Sequence, residues 1–67
     1  MEIKLYTEYI KLSALLKYAG ICVTGGEADV HIREGAVLLN GEPCTVRGKK
    51  VLPGDRVVFG NTEILVK

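Results

Sequence analysis

Polar and apolar positions change period early in the chain. Glu2, Ile3, Lys4 and Leu5 alternate charged with apolar side chains, the two-residue period of a half-buried strand, and the segment is short enough for a sheet edge. From Thr7 a helical period takes over: Leu12, Leu15, Leu16 and Ala19 stand at i, i+3, i+4 and i+7, one apolar stripe on a helix. The spacing predicts a helix over residues 8–19, ended by Gly20, with Lys11, Ala14, Lys17 and Tyr18 on its outer face. Tyr18 is expected to be partly buried, with its hydroxyl in water.

Periodicity alone leaves the next segment open. Ala28, Val30 and Ile32 alternate as in a strand, whereas Ala28, His31 and Ile32 cluster as on a helix. The flanks decide for a helix over residues 25–34. Thr24-Gly-Gly-Glu27 has the spacing of a capping box, in which the hydroxyl accepts one free amide and the carboxylate reaches back to another. Gly35 is placed to close the helix in a left-handed conformation.

After Gly35 the pattern is that of a sheet. "AVLL", Asn40-Gly41 and "EPCTV" form a hairpin signal whose type I′ turn pairs Leu39 with Glu42 and Val37 with Cys44. Val37, Leu39 and Cys44 then share the inward face. Pro53-Gly54 suits the centre of a type II turn leading into "RVVFG", and Gly60-Asn61 turns the chain into "TEILV". The order is strand, two short helices, then about four strands: an α+β fold in one compact domain over residues 1–67, with no internal repeat or linker.

Composition narrows the function. A chain of 67 residues, 48% of them apolar, has enough core for one small domain but too little surface burial for a deep cleft. No apolar run approaches the roughly 18 residues of a membrane span, and the N-terminus lacks the apolar block of a signal peptide, so the expectation is a cytoplasmic protein. Net charge is +1, unevenly spread: residues 1–43 are net −2, whereas residues 44–56, with Arg47, Lys49, Lys50 and Arg56 against Asp55, are net +3. Arg47-Gly-Lys-Lys50, between two turns, is the one electrostatic feature of the chain.

Catalytic and metal chemistry find little support. Cys22, Cys44 and His31 supply three possible ligands without a C-x₂-C or H-x₃-H pair, so both cysteines are read as reduced core thiols and no metal is expected. No nucleophile has an evident base and orienting partner, and no G-x-x-x-x-G-K loop is present. The reading is a protein that is not an enzyme, with no cofactor and no small-molecule substrate.

The stretch "YIKLSALLKYAGICVTGGEADVHIREGAVLLNGEPCTVRGKKVLPGDRVVF" resembles the S4 RNA-binding domain, especially the small stand-alone S4 proteins of bacteria. The resemblance rests on an ordered series: Leu-Leu-Lys17, Thr24-Gly-Gly26, "EGAVLLNGE", "RGKK" and "LPGD". It implies the alpha-L (αL) motif, two short packed helices against a small, mainly antiparallel sheet, presenting one surface to structured RNA, ribosomal RNA included, as a monomer. The residues supply a matching surface. Lys17 lies on an outer helix face, the Gly25 and Gly26 amides sit beside Thr24 at a helix N-terminus that favours phosphate, and Arg47, Lys49 and Lys50 add mobile charge from the loop. The chain departs from the family pattern at Gly25, Asp29 and Val46, where basic residues are common, which predicts weaker binding than a fully basic surface would give.

A rival reading is a protein-binding adaptor of β-grasp type, because "LLNGE" followed by "PGDRVVF" also resembles small sulfur-carrier proteins. Those carriers act through a C-terminal Gly-Gly, and this chain ends "ILVK". Two helical segments before the hairpin also depart from the β-grasp order.

Overall fold

The computed structural model describes Met1–Lys67 throughout. Its elements run β1 (Glu2–Ile3), β2 (Ile10–Lys11), α1 (Leu12–Tyr18), α2 (Gly25–Arg33), β3 (Val37–Leu39), β4 (Glu42–Pro43), β5 (Lys50–Val51), β6 (Arg56–Phe59) and β7 (Thr62–Val66). Five strands form a mixed sheet in the order β1-β7-β6-β3-β4, and β2 pairs with β5 in a separate two-stranded ladder. All pairings are antiparallel except β1 with β7, so the α+β, mainly antiparallel expectation holds. β1 lies at an edge, as its length suggests.

The leucine stripe forms the middle of the core. Leu12, Leu15 and Leu16 are fully buried together with Ile32 from α2 and Val37, Val51, Val57, Ile64 and Val66 from the strands. Burial of each such side chain contributes about 1.5–3 kcal/mol. Both helices end in the same way. Gly20 and Gly35 take φ of +78° and +77°, and the paired bonds Ile21 N–H to Leu16 O with Gly20 N–H to Lys17 O recur as Ala36 to His31 with Gly35 to Ile32. These are Schellman caps, which need a left-handed residue where the helix stops.

Helix α1 is shorter than its periodicity suggests. Residues 8–11 are not helical: Ile10 and Lys11 pair with Val51 and Lys50, and Lys11 occupies the N-cap without a side-chain cap bond. Thr7, Tyr9 and Ile10 are β-branched or aromatic, types that favour extended backbone, and the new ladder gives that backbone hydrogen-bond partners. The first amides of α1 are satisfied from elsewhere. Leu12 N–H donates to Lys49 O at 2.9 Å and Ser13 N–H to Arg47 O at 3.1 Å. The basic loop is thereby the N-terminal cap of α1.

The turns follow the sequence reading. Asn40 and Gly41 both have positive φ, as type I′ requires, Leu39 faces Glu42, and Cys44 N–H donates to Val37 O. Val37 is fully buried, whereas Leu39 and Cys44 pack partly buried against the core. Asn40 and Asp55 also join two turns that are distant in sequence: Asn40 Nδ2 donates to Asp55 Oδ1 at 3.1 Å, and Asn40 Oδ1 accepts from Arg56 N–H at 2.9 Å.

Candidate nucleic-acid interface

At the start of α2, Thr24 Oγ1 accepts from Glu27 N–H at 3.2 Å, the first half of the capping box. The return half is displaced by one residue, because the Glu27 carboxylate accepts from Val23 N–H, at 3.4 Å, rather than from Thr24. Gly25 and Gly26 occupy the first two helical positions, where amides have no partner within a helix. A Cβ at Gly25 would meet nothing within 4 Å, and one at Gly26 would meet Thr24 Oγ1 at 3.9 Å. A side chain at either position would therefore enter open space.

Arg47 Nη1 donates to Asp29 Oδ2 of α2 at 3.0 Å, with side-chain exposures of 67% and 17%. The loop expected to carry mobile charge is therefore held at both ends, by backbone bonds to α1 and by this pair to α2. Asp29, where the family pattern often has a basic residue, partly neutralises Arg47. Gly25 lies one turn before Asp29, about 6 Å along the helix axis.

Lys49 and Lys50 are exposed on the same loop. Lys17 is exposed in the last turn of α1, roughly 7 Å along the helix from where the loop docks, and its charge also favours the helix C-terminus. Tyr18 is 66% exposed, standing opposite the leucine stripe. The chain's ion pairs are His31–Glu27, Arg47–Asp29, Arg56–Glu63 and Lys67–Glu2, which leaves Lys4, Lys11, Lys17, Arg33, Lys49 and Lys50 without carboxylate partners.

Three positions escaped sequence reasoning. Lys11 is directly opposite Lys50 in the β2–β5 ladder, a juxtaposition hidden while residue 11 was assigned to a helix. Tyr9 places its ring centroid 4.8 Å from Lys50 Nζ. Arg33 joins Arg47, Thr45 and Val46 around an open surface depression of about 430 Å³. A second depression, of about 300 Å³, lies on the other flank of the loop beside Lys49.

The Cys22, Cys44 and His31 set is not assembled. The Cys44 thiol faces the Val46 carbonyl at 3.8 Å, while Cys22 Sγ, a Glu27 oxygen and a His31 nitrogen lie within 4.8 Å of one another. Each of the three has another engagement. Cys22 is a core residue, Glu27 accepts the Val23 amide, and the His31 ring packs on Phe59 with centroids 4.7 Å apart. Burial, and secondarily the Glu27 carboxylate, push the Cys22 thiol above its ordinary pKa, so it is a poor nucleophile at neutral pH.

The S4 domain family model matches residues 3–67. The chain is also 38% identical over 66 residues to the probable ribosome maturation protein RlbA of Bacillus subtilis (strain 168), an alignment covering 94% of this chain and 93% of that protein. Ordered motifs, paired helices and family match agree: this chain belongs to the S4-domain family of RNA-binding proteins.

Proposed function

We propose that the protein is a non-catalytic, monomeric RNA-binding module of the cytoplasm. It recognises structured RNA through phosphate contacts and shape, within the ribosome or its precursors, and uses no cofactor or small-molecule substrate. The observation that carries this reading is the docking of the basic loop. Its carbonyls cap α1 and its Arg47 reaches α2, so Lys49 and Lys50 are presented from a scaffold fixed on both helices. Lys17 and Thr24 extend the same helical surface. Cations and free amides suit phosphate oxygens, and the deep major groove of duplex RNA leaves shape and backbone as the readable features.

Similarity to a probable ribosome maturation protein supports a ribosomal partner. Crosslinking in cells, followed by separation of ribosomal from free RNA fractions, tests this. The expected result is enrichment of ribosomal RNA or its precursors. Recovery of protein partners without RNA would favour a non-catalytic protein-binding adaptor on this S4 fold instead.

A further inference from the structure

We propose that Tyr9 is a stacking platform for an unpaired nucleotide, so that the RNA partner carries a single-stranded segment beside the helix gripped by the basic loop. The proposal rests on the RNA-binding reading and adds to it the kind of RNA.

Two observations carry it. The first is the ring itself. Tyr9 is 38% exposed and belongs neither to the core nor to the hydrophobic side chains packed against it. Its backbone is nonetheless fixed: Thr7 Oγ1 donates to its carbonyl at 2.8 Å, and the next residue, Ile10, enters the ladder with Val51 and packs against the core. A held and partly exposed aromatic ring is a suitable surface for a base, since every base has a π-face.

The second observation is the charge around it. Lys11 and Lys50 are direct cross-strand partners, and like charges in that relation destabilise a ladder. Neither has a carboxylate partner, and Lys49 follows on the same loop. The Lys50 ammonium rests over the Tyr9 ring, where it is close enough to meet the phosphate of a nucleotide stacked there. An incoming phosphate would relieve the Lys11–Lys50 repulsion while its base covers the ring. Aromatic side chains set in a basic track are the recurring means of holding single strands with little regard to sequence.

The test uses the full chain and a stable RNA hairpin in three forms: without a tail, with a short single-stranded tail, and with the same tail made abasic. Wild-type protein should bind the tailed hairpin more tightly than the untailed one, and the abasic tail should lose most of that gain although its phosphates are intact. Tyr9→Leu should weaken binding of the tailed hairpin about 5- to 150-fold, the loss of one stacked base, with little change in salt slope because no phosphate contact is removed. Tyr9→Phe should retain most of the affinity. The wild-type comparison of natural and abasic tails needs no variant, so equal binding there overturns the proposal even if Tyr9→Leu folds poorly, and Tyr9→Phe against wild type then reports on the ring itself. Equal binding of the two tails, or a folded Tyr9→Leu that keeps the full gain, would overturn the proposal. Failure to bind the untailed hairpin at any salt would overturn the underlying RNA reading, and the proposal with it.

Discussion

Asp29→Ala separates the structural and the functional work of Arg47. In the native protein the guanidinium is bonded to Asp29 at 3.0 Å, and it is 67% exposed. An ion pair with one partner so largely in water contributes about 0.2–1 kcal/mol, since its Coulomb energy is screened and two side chains lose freedom. Removal should therefore lower Tm by at most about 8 °C in a domain of this size. The loop should stay docked, because its bonds to Leu12 and Ser13 come from backbone carbonyls. The functional effect has the opposite sign. Arg47 becomes free and a negative charge leaves the surface, so affinity for structured RNA at low salt should rise. The log-log salt slope should steepen by roughly 0.7–0.9, one added phosphate contact. Thermal denaturation and an RNA titration across a salt series measure both. Destabilisation well above 2 kcal/mol would show that the pair holds the loop in place, and an unchanged slope would show that Arg47 does not compete between Asp29 and phosphate.

Two further outcomes follow from the geometry. Gly25→Ala with Gly26→Ala should leave stability unchanged or raise it by up to about 1–2 kcal/mol, because a Cβ meets open space at both and alanine is the better helix former; RNA binding should weaken as the new methyl groups keep phosphate from the amides, and calorimetry with an RNA titration would reveal the opposite signs. Cys22 has a raised pKa in the folded state, so its contribution to stability is complete below the unfolded thiol pKa and is lost as pH rises through the folded one; denaturant titrations from neutral to alkaline pH should show a decline that Cys22→Val flattens, while thiol titration after unfolding recovers two free thiols without bound zinc.

What could be read from the sequence divides along contact range. The leucine stripe, the Thr24 cap, the Schellman glycines and the Asn40-Gly41 turn are local patterns, and each appears where its spacing places it, because a few neighbouring residues determine it. The β2–β5 ladder is different. Two residues near position 10 pair with two near position 50, a contact too short to leave a periodic signal, and the leucine stripe extended the helical reading across them. The same ladder governs what was hidden in the candidate site. Docking of the loop on α1, the Arg47–Asp29 pair and the Lys50–Tyr9 contact all depend on residues brought together from distant parts of the chain. Motif order marks Arg47, Lys49 and Lys50 as candidate phosphate contacts, but gives no sign that Asp29 restrains one of them.

The central claim is that Lys49 and Lys50 grip phosphates from a fixed loop. Its most direct test is the affinity of wild type and of Lys49→Ala with Lys50→Ala for a structured RNA, measured across a salt series. The account predicts that the variant's log-log slope is shallower by roughly 1.4–1.8, two lost phosphate contacts. Its stability should fall by no more than about 1 kcal/mol, the most an exposed Lys50–Tyr9 contact contributes. An unchanged slope, or equal wild-type affinity for heparin and for the RNA, would contradict the account and reduce the loop to a solvated turn.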